Sequence, residues 1–134
     1  MRRTNWLLVL SFVLTVCGGH AAAQSAGWTM PDGGGAEKSP LKTTPEVLKK
    51  GRGIFMSKCQ KCHGPQGTGD GPDSNPDEPA GDLTDAARAP VNPEGVMFYK
   101  VWNGRTRPKM PAFKSELTKD EVWTVVEYVK SLRK

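Results

Sequence analysis

Apolar positions recur along the chain at helical spacing in three places. Val47, Leu48, Gly51, Ile54 and Phe55 form the first stripe. Thr43 or Thr44 can cap it, Pro45 suits its first turn and Glu46 complements the positive end of the helix. The second segment, Val96, Met97, Phe98, Tyr99, Val101 and Trp102, is apolar nearly all round and ends at Asn103-Gly104. Such a helix needs a large apolar surface to lie against. Asn92-Pro93-Glu94 before it repeats the cap, proline and acid start. The third begins with a capping box, Thr118-Lys119-Asp120-Glu121. Val122, Val125, Val126, Val129 and Leu132 follow, with Lys130, Arg133 and Lys134 at the negative end. A short helix capped by Thr84 is expected over Leu83 to Ala89. No strand-like alternation and no internal repeat occur, so the expected fold class is all-α.

Two stretches lie outside this pattern. Arg2 and Arg3 precede an apolar run from Trp6 to Cys17, and Ala21-Ala22-Ala23 supplies an A-x-A cleavage site. Residues 1–23 are read as a signal peptide cleaved after Ala23, with Ala26 the neighbouring alternative. The run is short for a membrane span. Membrane attachment would need a retained leader or a lipidated Cys17, whose preceding Val16 is larger than a lipoprotein signal wants. Residues 24–42, rich in Gly, Pro, Ser and charge, bury too little apolar surface to offset ordering, and are expected to form a flexible arm. Trp28 and Met30 are the exceptions, apolar side chains that can pack back on the domain. The remaining domain spans 43–134.

The 134 residues allow one domain. Formal charge is +5, and +3 once the leader with Arg2 and Arg3 is gone. That surplus is modest, and no basic helix with interleaved stacking aromatics occurs, which argues against nucleic acid as a partner. From Asp70 to Asp85 there are six acidic residues and no basic ones, read as a solvated acidic loop without EF-hand spacing.

The chemistry lies in Cys59-Gln60-Lys61-Cys62-His63, the C-x-x-C-H attachment signature of haem c. Two thiols on one turn can each form a thioether with a haem vinyl group, and the next His is placed to ligate iron. A zinc site would need a fourth ligand, and beyond the leader these are the only Cys and His in the chain. A thioredoxin-like dithiol would need a strand before Cys59, and none is indicated. With both cysteines committed, no disulfide remains and the haem itself becomes the staple. A thioether is the natural partner opposite His63. Met56 is tied to the same side of the haem, Met97 reads as core and Met30 lies in the arm. Met110, between Pro108 and Pro111 and 47 residues beyond His63, can reach the other face.

From about Thr44 onward the chain resembles small, His/Met-ligated mono-haem c-type cytochromes of bacterial type, in the cytochrome c superfamily. The resemblance rests on Gly51 and Phe55 ahead of C-x-x-C-H, on Tyr128 in the last helix, and on Met110-Pro111. It implies three or more helices wrapped around one covalent haem c, with the first and last crossing at Gly51 and Tyr128. It further implies that Tyr99 and Trp102 contact the haem, bonded to a propionate or packed on the porphyrin. Trp123 and Phe113 are read as wall residues.

The expected role is that of an exported, periplasmic and monomeric one-electron carrier, without catalytic residues of its own. Lys58, Lys61, Lys109 and Lys114 flank the ligand segments. They are either a basic rim that steers redox partners with acidic docking faces or plain solubilising lysines. The alternatives are a haem c subunit of a larger oxidoreductase, and a haem enzyme or gas sensor in which Met110 is displaced. The mature chain has no second His to serve as a distal base.

Overall fold

The computed structural model describes residues 28–134. The expected signal peptide, its cleavage sites, Cys17 and residues 24–27 lie outside the described residues. Four α-helices follow in order: α1 Pro45–Lys58, α2 Gln60–His63, α3 Glu94–Asn103 and α4 Lys119–Leu132. One 3-10 turn, Ala86–Arg88, precedes α3. Among the described residues there is no strand, only the isolated bridges Asn75–Glu78 and Arg105–Met110. Among the described residues the architecture is all-α, as expected.

Local sequence sets most helix ends. Thr44 caps α1 by accepting a hydrogen bond from the Val47 N–H at 3.3 Å. At α4 the box closes in both directions: the Glu121 N–H donates to the Thr118 hydroxyl, and the Thr118 N–H donates to the Glu121 carboxylate at 2.8 Å. Two expected caps differ. The helical turn near residue 86 is capped by the Asp85 carboxylate, which accepts from the Ala87 N–H, while the Thr84 hydroxyl donates to Asp82. Ahead of α3, Pro93 holds the cap position without a side-chain bond. The Asn92 side chain instead accepts from the Lys100 ammonium.

α1 and α4 pack directly on each other. A Cβ built on Gly51 would meet the Thr124 carbonyl oxygen and lie 2.7 Å from Tyr128 Cβ, so glycine alone permits this approach. Beside the crossing the Phe55 and Tyr128 rings sit 5.4 Å apart. Gly53 has nothing within 4 Å. The core lies on the other side of α4, where the Phe98 ring stacks on Trp123 at 4.4 Å and on Trp102 at 5.8 Å. Phe113, Leu117, Val122 and Val126 complete it.

The segment expected to be a flexible arm, 24–42, is instead tied down over 28–42, and Thr43, the first residue of the expected domain, continues this strap. The Ser39 N–H donates to Glu94 at 3.1 Å, Leu41 packs on the core, and the Thr43 hydroxyl donates to Glu127 at 2.5 Å. Lys130 joins the two acids, at 2.6 Å from Glu94 and 2.8 Å from Glu127. Composition misled because polar contacts hold the strap, and these need no apolar run. Glu127 is 1% exposed, so its charge is tolerated only because Lys130 and Thr43 satisfy it.

The Glu94 carboxyl is held below its usual range, chiefly by the Lys130 hydrogen bond. For Glu127, burial acts upward but the bonds from Lys130 and Thr43 outweigh it, and the result is again lowered. A depressed folded value means that the unfolded chain binds more protons. The stabilisation is therefore full above the ordinary glutamate value of 4.5 and is lost as pH falls below it. Denaturant melts should show the native protein losing stability on acidification more steeply than Glu94→Gln. Equal slopes would remove Glu94 from the acid response. Melts should also separate two glycines on one helix. Gly51→Ala should destabilise by about 1–3 kcal/mol through overpacking, and Gly53→Ala should stabilise by about 1 kcal/mol.

Candidate haem site

α1 delivers the chain into Cys59, its C-cap, and the short α2 carries Cys62 and His63. The His63 N–H donates to the Cys59 carbonyl at 2.9 Å, which fixes the turn that presents both thiols. Neither cysteine is in a disulfide. Burial, with the neighbouring Cys62 second, pushes the Cys59 thiol up to about 12, so this site is poor in thiolate. Gly64, at φ +75°, then turns the chain out of α2.

The loop after His63 folds back around α2. The Gly69 N–H donates to the His63 carbonyl at 2.8 Å, Gly71 to Cys62 at 3.1 Å and Asp73 to Lys61 at 2.7 Å. A Cβ on Gly71 would strike the Lys61 carbonyl oxygen and the Cys62 backbone. The glycines are there to let backbone approach backbone. Among the acids, Asp70 accepts from Thr68, Asp82 from Thr84, and Asp85 caps the following turn. The loop also brings the Gly81 carbonyl to 3.1 Å from His63 Nδ1. A carbonyl only accepts, so Nδ1 carries the proton and Nε2 keeps a lone pair. Burial lowers the His63 pKa, against the opposing Gly81 bond; the ring is a neutral donor at pH 7.

Met110 comes from the loop between α3 and α4. Its N–H and carbonyl pair with Arg105 at 2.9 and 2.8 Å, and the Phe113 N–H donates to Val101 at 3.0 Å. Gly104, at φ +61°, lies against the Met110 carbonyl where a Cβ would not fit. Hydrogen bonds to Arg105 and to Val101 of α3, in addition to the flanking prolines, hold the loop.

Cys59, His63 and Met110 line one hollow of about 440 Å³. An adjoining hollow of about 680 Å³ shares these three and adds Cys62 and Phe113. Each lies within the range of about 300–1,000 Å³ usual for cofactor sites. Phe55, Leu83, Val101, Val126 and Val129 make the wall of the first apolar. The donor set fits haem c: two thiols one turn apart, an imidazole nitrogen, a thioether and an apolar wall meet around one cleft. Met97 is buried in the core and also borders the cleft, and its sulfur accepts from Arg133 at 3.2 Å.

Trp102 stacks on Phe98, with the Lys119 ammonium 6.0 Å from its ring centre, and it does not line the first hollow. Tyr99 lines a neighbouring hollow that shares Trp28, Arg105 and Met110 with the first. The first hollow is also reached by the next residue, Lys100, and by Arg88, Asn92, Arg105 and Trp28. Adjacent helix positions point about 100° apart, so Lys100 and Tyr99 cannot share a direction. A lone Lys in a helix otherwise apolar nearly all round was the available signal. Of the basic rim, Lys58 pairs with Glu116 at 2.7 Å, while Lys61 and Lys109 are exposed beside the larger hollow and Lys114 is exposed outside it.

The comparisons with known proteins agree with this geometry. A chain of the Kuenenia stuttgartiensis reducing HAO-like protein complex Kustc0457/Kustc0458 superposes with a TM-score of 0.62 at 31% identity, over 71% of this chain and 47% of that one. This chain thus spans about half the length of that relative. Cytochrome cL of Methylophaga aminisulfidivorans gives 0.51 at 29% identity, over 66% of this chain and 57% of its own. The c-type cytochrome KustC0563 gives 0.51 at 24% identity, over 63% of this chain and 98% of its own, a likeness of fold alone. No curated protein matches. The sequence profile of the cytochrome c family matches residues 48–133. With the C-x-x-C-H turn, the helical fold and the apolar cleft already in place, that match makes the chain a member of the cytochrome c family, with covalently bound haem c as its cofactor.

Proposed function

We propose that this haem c electron carrier is an exported protein, with residues 1–23 as its leader and 43–134 as its haem domain, that passes single electrons between redox proteins. In this reading Cys59 and Cys62 hold the haem through thioethers, and His63 and Met110 are the axial ligands. The observation that carries it is the meeting of Cys59, His63 and Met110 on one cleft from segments far apart in sequence. Bound haem c supplies a ferric/ferrous one-electron couple. The Gly81 carbonyl holds the His63 ring with Nε2 available. The Met110 loop, pinned to Arg105 and Val101, keeps its thioether in place. Phe55, Leu83 and Val126 exclude water and so favour the less charged ferrous form. Were His63 and Met110 both to hold the iron, no site would be left for substrate, which would suit electron transfer.

Lys61, Arg107 and Lys109 border the larger hollow. They support a docking face for acidic redox partners, through small contacts weakened by salt. Among the described residues no helix is long and apolar enough to cross a membrane. Any membrane attachment in this reading goes through the leader or Cys17.

A second reading makes the chain a haem c subunit of a larger oxidoreductase, supported by its likeness to a chain of the HAO-like complex. Co-purification at fixed stoichiometry from the native source would favour it over a free carrier.

Spectra of the holoprotein test the ligation. The ferric form should show the weak long-wavelength thioether-to-iron band, and the ferrous form should resist carbon monoxide. Met110→Ala should lose the band, bind carbon monoxide and fall in reduction potential. Cys59→Ser or Cys62→Ser should weaken or abolish covalent haem. An unchanged band in Met110→Ala would sink the Met110 assignment, and ready carbon monoxide binding by the native protein would favour an enzyme or sensor.

A further inference from the structure

Residues 28–43 precede the stretch matched by the family profile, and three fastenings hold them on α3 and α4. Thr43 is bonded to Glu127 and Ser39 to Glu94. The strap backbone then rests on the first turn of α3, where a Cβ on Gly95 would run into the carbonyl oxygens of Gly35 and Glu37. Towards the N-terminus, a turn closed by the Gly34 N–H on the Pro31 carbonyl at 2.7 Å leads to the half-buried Trp28. The Trp28 ring lies at the other end of α3. Its centre is 5.3 Å from the ammonium of Lys100, in the last turn of the helix, and 4.6 Å from the guanidinium carbon of Arg105, just past it.

Arg105 is the residue on which the Met110 turn closes. Its N–H donates to the Met110 carbonyl at 2.8 Å, and the Met110 N–H donates back at 2.9 Å. Trp28 and Thr29 line one hollow together with Gly104, Arg105 and Met110, so the start of the strap borders the turn itself. The charge of Glu78 also acts on Arg105, which makes the ring one of its holds among others. A cation on an indole face is held more strongly as water is removed. An outside ligand that takes the place of the Met110 thioether has to push this turn aside. A contact made only while the turn is in place adds its free energy to the cost of that motion.

We propose that Trp28 is a positioning residue for Met110: the strap holds the Trp28 ring on Arg105 and thereby clamps the turn that carries the thioether. The proposal rests on the reading of His63 and Met110 as axial ligands. Trp28 acts through Arg105, not on the iron. Gly95 acts one step further away, through the strap that it admits. The clamp biases the chain towards a filled iron, and so towards electron transfer over ligand binding.

The test titrates the ferric holoprotein with imidazole, a probe that competes for the Met110 position, and reads the loss of the thioether-to-iron band. Trp28→Ala should keep covalent haem and the band, and bind imidazole about tenfold more tightly than the native protein. Trp28→Phe, which keeps a ring against Arg105, should bind it nearly as weakly as the native protein. Gly95→Ala should shift the affinity in the same direction as Trp28→Ala, and the two together by less than the product of their separate effects. Val122→Ala, in the core and on neither hollow beside Trp28, should lower stability in denaturant and leave the imidazole affinity native. Should Trp28→Ala fail to fold, Arg105→Gln removes the cation, leaves the backbone bridge and decides in its place. Native imidazole affinity in the variant that folds, with the band intact, overturns the clamp alone, as does an equal rise in Val122→Ala. A native holoprotein without the band overturns the Met110 reading, and the clamp with it.

Discussion

At Gly51 no side chain separates α1 from α4, and the backbone of one helix rests on the other. This contact sets the direction in which α1 leaves the crossing. Two turns later the same helix ends at Cys59, so the crossing aims the C-x-x-C-H turn at the cleft. Phe55, one turn on from Gly51, is fully buried between the two roles, touching Tyr128 on one side and lining the cleft on the other. A side chain at residue 51 would therefore act on the cofactor site as well as on stability.

The domain divides its apolar groups between a packed core and a cofactor cleft. Phe98, Trp123, Phe113 and Leu117 fill the first, and Val126 serves both. A chain of this size has little apolar surface to spare. The wall of Phe55, Leu83, Val101 and Val129 is completed by the haem that the family binds, which makes the cofactor part of the fold as well as its reactive group. With no disulfide at Cys59 or Cys62, a haem held as proposed would join the early helix to the late loop.

Charge is organised in two ways on the two sides of α3. On one side Lys130 sits between Glu94 and Glu127, and the strap adds Ser39 and Thr43. Ion pairs of this kind return little net stability once desolvation is counted, and their best-attested use is to fix one arrangement of parts. Here that arrangement holds the strap, α3 and α4 together. On the other side Arg88 pairs with Asp85, and Lys100 and Arg105 lie against the Trp28 ring at the edge of the cleft.

The sequence by itself determined whatever is local. C-x-x-C-H needs only one turn of chain, the Thr44 and Thr118 caps act over three residues, and apolar spacing alone marks α1, α3 and α4. Gly51 was legible too, because a glycine on an apolar stripe implies a close neighbour. The tertiary structure decided what depends on pairing across the chain. Ser39 and Thr43 become fastenings only once Glu94 and Glu127 stand opposite them, so the strap read as a flexible arm. Lys58 gains its ion-pair partner only once Glu116, far along the chain, stands beside it. The rotation of α3 against α4 turns Lys100 to the cleft, Trp102 to Phe98 and Tyr99 to a hollow that shares Met110 with the cleft. Periodicity gives the spacing of side chains around a helix; only packing against its neighbours fixes which direction each one faces.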